Sequence, residues 1–465
     1  MRQPNRAGRI AARLFLVFLA LATFFTVFGA SMIPFHFRAG KPAIFLPFKM
    51  IMPAFAWDLC WFAALCSLAA FVLAWLFWRA RRRLAIACAL SLLIAVANAV
   101  SCAMAAGYIS RVTASHDADF TRAFGPGWQT RIAAEPAGPM LAHRWSPFAF
   151  HDPQGPVERN VVFWTIPGAG RKLLADIWLP PAGVRPTGLA FIYLHGSAWT
   201  MADKGWGTDP MFRHLAAQGY VGMDVAYRLA PETDLFGMVA DAQRAIAWMK
   251  ANASRYRVDP ARIVIAGASA GGQIALLAAY AYGQPQFTPP DLAGIDTSVR
   301  AVVSEYGPVS MGTYAESEVG KFTSTGIPAR QKKVLTDPKT HMPNGPMPLE
   351  QVLENVLGGM PNEVPRAYEL TDARSYVSPR DPPTLLMQGE FDSVATIKET
   401  RSLASGLCAA RVPVVLIAFP DTDHGFDVFT SYGARFGIHF PFDSNFAPPT
   451  QAALYYLDRF LALMN

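Results

Sequence analysis

The sequence predicts an α/β domain on a mostly parallel sheet, preceded by a membrane region of three helices. From residue 158 onward, strand-like apolar runs alternate with helix-like amphipathic stretches. That alternation requires crossover connections and therefore parallel pairing. The run Gly267-Ala268-Ser269-Ala270-Gly271-Gly272 stands directly after the apolar Ile263-Val264-Ile265-Ala266, where a strand would turn into a helix. Near the N-terminus, three almost uncharged runs each reach the roughly 20 residues that a helix needs to cross a bilayer.

Taken in order, the first run, residues 11–33, is broken only by Arg13; residues 59–78 and 84–110 carry no charge at all. A cleaved signal peptide followed by two buried core helices is the other reading. The first run is longer than a signal core, however, and its best small-residue cleavage point, after Ala30, has bulky Phe28 two residues before it. Positive charge near a span end is retained in the cytoplasm. Arg2, Arg6, Arg9 and Arg13 precede the first span and Arg79, Arg81, Arg82 and Arg83 separate the second from the third, against Arg38, Lys41 and Lys49 in the loop between spans one and two. The N-terminus is thus expected in the cytoplasm, and everything after Ser110 on the far side of the membrane, the inner membrane in a bacterium. Residues 42–57 are apolar but short and hold Pro47, Lys49 and Pro53; as a fourth crossing they would reverse that placement.

Residues 111–157 are polar, rich in Pro, Gly and His and without a clear period, and read as a juxtamembrane linker. The domain then runs from 158 to 465. Val161–Ile166 and Leu173–Leu179 look like an opening hairpin, followed by strands at Leu189–Leu194, Val221–Tyr227, Arg262–Ala266, Arg300–Ser304, Thr384–Met387 and Val414–Phe419. Pro210–Gln218 fits a helix stopped by Gly219, and Met238–Arg255 repeats Val239, Ala242, Ile246 and Met249 at helical spacing. Residues 307–382 interrupt the alternation and read as a cap-like insertion.

The charge of +7 and pI near 9.2 do not indicate nucleic acid, because eight of the 41 basic residues are the topology signals above and no dense basic run interleaved with aromatics follows Arg83. Cys60, Cys66, Cys88 and Cys102 lie in or beside the spans and Cys408 stands alone, so neither a disulfide framework nor a zinc pattern is written in the sequence.

Acyl transfer needs a nucleophile, a base, a group that orients the base and donors aimed at the developing oxyanion. Ser269 on its elbow is the expected nucleophile, flanked by the small residues that so sharp a turn demands. The N–H of Ala270 and those of Gly196 and Ser197, in the segment Leu194 to Trp199 after an apolar strand, form the expected oxyanion hole. His424, in the loop after the last predicted strand, is the expected base, with His195 and His439 as rivals. Asp392, in the loop after the preceding strand, is the expected orienting acid, with Glu390, Asp421 and Asp423 as rivals. The order serine, acid, histidine is the one that such elbows accompany.

These motifs resemble the α/β-hydrolase superfamily, in particular hormone-sensitive-lipase-like carboxylesterases and their kynurenine-formamidase-like and feruloyl-esterase-like relatives. The resemblance covers about residues 160–464 and rests on His195-Gly196 with Trp199, on Tyr227-Arg228-Leu229-Ala230-Pro231-Glu232, on the elbow, on Pro383-Thr384-Leu385-Leu386 leading to Asp392, and on His424-Gly425-Phe426. Tyr227 to Glu232 is its most specific part and implies a structural turn near the oxyanion loop. Ser197 and Ala198 depart from the glycine that the family usually repeats there. The implied fold is that of the α/β hydrolases. The implied activity is cleavage of carboxylic esters of small-molecule or lipid-like substrates through an acyl-enzyme, without metal or cofactor. Amide cleavage or acyl transfer to a surface glycan or lipid would use the same residues, and a binding protein on the same scaffold would use none.

Overall fold

The computed structural model describes residues 111–112, 116–132, 140–145, 152–316, 349–420, 422–426 and 448–465. The expected spans at 11–33, 59–78 and 84–110 lie outside the described residues, among which no helix is long and apolar enough to cross a membrane.

Eight strands form one sheet: β1 Val157–Thr165, β2 Lys172–Trp178, β3 Ala190–Leu194, β4 Val221–Val225, β5 Ile263–Ala268, β6 Ala301–Glu305, β7 Thr384–Gly389 and β8 Val414–Phe419, in the order β1-β2-β4-β3-β5-β6-β7-β8. β1 and β2 form the expected hairpin, and β2 lies antiparallel to β4. Every pairing from β4 through β3 to β8 is parallel. This is the architecture that the family resemblance implies.

β3 and β5, at the middle of the sheet, are buried and carry no charged residue because helices cover both faces. Ile192 and Leu194 of β3 and Ile263 and Ile265 of β5 face one core, shared with α2 (Leu235–Ala251), α3 (Ala270–Tyr280) and the insertion. Phe191 and Tyr193, with Val264 and Ala266, face the other, shared with α1 (Asp209–Ala217) and the C-terminal helix, Pro448–Met464. Successive side chains alternate between faces, so each strand feeds both cores.

Two expectations need correction. The helix expected from Met238 starts at Leu235, because Asp234 caps it by accepting from the Gly237 N–H at 2.8 Å, and it ends at Ala251, with only a short turn at Ala253–Tyr256 beyond. Residues 116–132, expected as linker, contain helical turns docked on the domain: Phe120 is fully buried, stacked on Trp128 at 4.7 Å and on Tyr456 of the C-terminal helix at 5.9 Å. The described part of the expected insertion packs against the domain. Within it, α4 (Met311–Glu316), α5 (Leu349–Leu357) and α6 (Pro365–Leu370) bury Met311, Tyr314, Leu353 and Val356. Tyr314 meets Trp199 edge to face at 4.8 Å, beside the expected oxyanion loop.

Candidate active site

β5 ends and α3 begins on either side of Ser269, whose backbone is left-handed at φ 52° and ψ −122°. Such a conformation costs a non-glycine residue of order 1–3 kcal/mol and persists only where its surroundings enforce it. They do so here: the Ser269 N–H donates to the Glu305 carbonyl at the end of β6 at 2.8 Å, and its own carbonyl accepts from the Gln273 N–H at 3.1 Å. The flanking glycines are required by close approach. A Cβ on Gly271 would stand 2.0 Å from the Leu194 carbonyl oxygen, and one on Gly267 would stand 2.4 Å from that of Gly271.

The turn leaves the Ser269 hydroxyl half-buried, 2.8 Å from His424 Nε2. On the other side of the ring, Nδ1 lies 2.9 Å from Asp392 Oδ2 and 3.1 Å from Oδ1. A carboxylate only accepts, so Nδ1 carries the proton and Nε2 presents a lone pair to the serine hydroxyl. Asp392 is held by the N–H groups of Val394 and Ala395, at 2.8 and 2.7 Å to Oδ1, and by the Gln388 side-chain amide on Oδ2. Tyr306, buried and itself left-handed at φ 40°, packs edge to face on the His424 ring at 4.8 Å. Expected nucleophile, base and acid therefore converge, although 155 and 32 residues separate His424 from its two partners.

Gly196 stands close enough to the elbow that a Cβ there would lie 3.4 Å from Ser269 Cβ. Among the described residues, no hydrogen bond is donated by the N–H of Gly196, Ser197 or Ala270. The departure at Ser197 has a structural reason. Tyr227 donates its hydroxyl proton to the His195 carbonyl at 2.8 Å, so the Ser197 hydroxyl must donate to Tyr227, at 2.7 Å, while accepting from the Trp199 N–H at 3.0 Å. This chain of donors holds a loop in which Ala198 and Trp199 are both left-handed, at φ 44° and 60°.

The rivals fall elsewhere. His195 is buried and stacked on Tyr227 at 4.6 Å, and Glu390 pairs with Arg401 at 2.9 Å. Asp423 bonds to the backbone N–H of His424, not to its ring. Asp421 and His439 lie outside the described residues. Sequence reasoning missed Gln388, Tyr306, and Ser393 with its bonds to Asp423; only the place of Gln388 at the end of β7 and of Tyr306 just past β6 could have pointed to them. Among the described residues, no group of three His, Cys, Asp or Glu is arranged to hold a metal.

A family model described as BD-FAE matches residues 175–407. The curated relatives include "Probable carboxylic ester hydrolase LipM" of Mycobacterium tuberculosis, 28% identical over 264 residues that cover 56% of this chain and 55% of that protein. "Esterase LipC" of the same organism is 28% identical over 265 residues, covering 57% and 59%. The chain spans little more than half the length of these relatives. Among solved structures, a butyrate-bound thermophilic esterase from the planctomycete Thermogutta terrifontis superposes with a TM-score of 0.43 at 19% identity, over 62% of this chain and 96% of that one.

Proposed function

The chain belongs to the BD-FAE family, and from that premise we propose that it is a serine hydrolase that cleaves carboxylic esters through an acyl-enzyme, held at a membrane by its N-terminal region. The carrying observation is the continuous line from the Ser269 hydroxyl through the His424 ring to Asp392, at 2.8 and 2.9 Å.

In this reading Ser269 Oγ attacks the ester carbonyl carbon while its proton passes to His424 Nε2. Asp392 holds the ring in the required tautomer and stabilises the imidazolium that forms. The carbonyl oxygen takes up negative charge facing the N–H groups of Gly196, Ser197 and Ala270, one of them at the start of α3, where the helix dipole adds to the attraction. The imidazolium returns its proton to the departing alcohol. Water, activated by the same ring, then releases the acid and restores the serine. Membrane attachment rests on the uncharged runs at 11–33, 59–78 and 84–110, and the distribution of Lys and Arg around them puts the hydrolase domain on the non-cytoplasmic face.

A fluorophosphonate probe, with hydrolysis of a short p-nitrophenyl ester, tests the chemistry on the full chain in detergent. Labelling at Ser269 that vanishes with hydrolysis in Ser269→Ala is the expected result; a folded protein that neither labels nor hydrolyses would remove the reading. A reporter fused after Asn465, active only outside the cytoplasm, tests the placement separately.

A further inference from the structure

Beside the triad lies a second buried carboxylate for which the proposed chemistry has no use. Asp423 is 5% exposed and immediately precedes the histidine. All of its hydrogen bonds among the described residues fall on one oxygen: Oδ1 accepts from the Ser393 N–H at 2.8 Å, the Ser393 hydroxyl at 2.8 Å and the His424 N–H at 2.7 Å. Oδ2 is buried and has no partner among the described residues. Burial, with the neighbouring charge of Asp392, pushes its carboxyl up to about 6. Leaving a carboxylate in such a place is costly unless its fixed contacts do something.

Those contacts join two separate loops. Ser393 follows Asp392 in the loop after β7, and His424 sits in the loop after β8. Among the described residues no direct backbone hydrogen bond links Ser393 to His424; Asp423 Oδ1 accepts from both, and so adds to the bond from the Phe391 N–H to the Thr422 carbonyl, at 3.0 Å, that also joins the two loops. We infer that Asp423 is a positioning residue, whose single accepting oxygen clips the acid loop to the histidine loop and so holds the His424 ring in line between Asp392 and Ser269.

The three donors define what a substitute must keep. An asparagine retains an oxygen at Oδ1 and can accept all three bonds without the charge. An alanine retains none of the three and leaves Ser393 and His424 without this shared acceptor. Ser393→Ala removes one donor and leaves two. Because in-line geometry must be kept to within a fraction of an ångström, the effect belongs in kcat and not in substrate binding.

The inference rests on the proposed serine chemistry, so wild-type labelling at Ser269 is established first; if that fails, the functional reading has failed and not this one. With a labelling enzyme, Asp423→Ala should lower kcat of the full chain on the p-nitrophenyl ester by about 10- to 100-fold, with KM within about twofold. Asp423→Asn should recover most of that loss, Ser393→Ala should cost about three- to tenfold, and Ser393→Ala should add little on top of Asp423→Ala, since the one weakens the clip that the other removes. A folded Asp423→Ala enzyme with kcat within twofold of wild type overturns the inference. So does an Asp423→Asn enzyme as damaged as Asp423→Ala, since charge and not the clip would then matter. If Asp423→Ala does not fold, Ser393→Ala decides: full wild-type kcat there also overturns it.

Discussion

Gly389, the last residue of β7, is where a single added methyl group would press directly on the histidine loop. A Cβ built there would stand 2.5 Å from the Thr422 carbonyl oxygen and 2.9 Å from that of Asp423, both backbone atoms of the histidine loop. To reach an ordinary contact of 3.4 Å the loop must move by about 0.9 Å. It cannot do so by a side-chain rotation. His424 is the next residue along, and its Nε2 stands 2.8 Å from Ser269 Oγ; a displacement of that size away from the elbow carries the pair out of hydrogen-bond range. Misplacement by about 1 Å costs on the order of 100-fold in rate. Gly389→Ala should therefore lower kcat about 100-fold with KM little changed, and slow fluorophosphonate labelling in parallel. Gly406→Ala, in the last turn of α7 (Ile397–Ala409), serves as the control: its nearest contact would be Val377 Cγ1 at 3.9 Å, so it should keep full activity and gain roughly 0.5 kcal/mol of stability from helix propensity. A Gly389→Ala enzyme with wild-type kcat would refute the claim that the histidine loop is held by backbone contact at this point.

Ser197→Ala cuts the donor chain that runs from Trp199 through Tyr227 to His195 and strands a buried N–H, which should cost roughly 1–3 kcal/mol and about tenfold in kcat/KM. Tyr227→Phe should behave alike and the double variant no worse than either single, in denaturation and in ester hydrolysis; fully additive losses would break the link. A second experiment concerns His214 of α1, which is buried between Asp152 at 3.0 Å and Asp458 at 3.0 Å. Burial alone would lower its pKa, but the two carboxylates outweigh it and hold the ring protonated up to about 10, from an ordinary 6.5. The folded value is the raised one, so this cluster stabilises the fold fully below about 6.5 and less and less as pH climbs through about 10, a change of a few kcal/mol. Denaturant midpoints at pH 6.5 and 9.5 should fall further apart in wild type than in His214→Gln; parallel declines would exclude the cluster as their source.

What the sequence made legible was of two kinds. Local rules placed the elbow, because the small residues around Ser269 answer a crowding that the structure measures in single contacts at Gly267 and Gly271. Alternation of strand and helix placed the loops that carry Asp392 and His424, because strands that run parallel all end at the same edge. What stayed hidden depends on partners distant in sequence. Nothing near Phe120 announces that it will be buried against Tyr456, and nothing near Ser197 announces Tyr227, 30 residues on. Asp423 looked like a rival acid for the same reason: its distance from the ring was readable only once the loop that holds Ser393 had been placed beside it.

The strand order explains why the clip and the glycine are needed together. Ser269 follows β5, Asp392 follows β7 and His424 follows β8. With neighbouring strands about 4.8 Å apart, the histidine begins about 14 Å from the serine in the plane of the sheet. Its loop must run back over the ends of β7 and β6 to reach it. Crossing β7, it lies on Gly389, with the Phe391 N–H bonded to the Thr422 carbonyl at 3.0 Å. Above β6 it meets Tyr306, whose left-handed backbone sets the aromatic ring against the imidazole at 4.8 Å. The imidazole is thus supported from beneath at each strand it crosses and tied sideways by Asp423. A loop that makes this crossing unsupported would leave the ring on its own side of the sheet, which is why the supports under and beside His424 should each weigh on the rate by about 10- to 100-fold although none of them touches the reacting atoms.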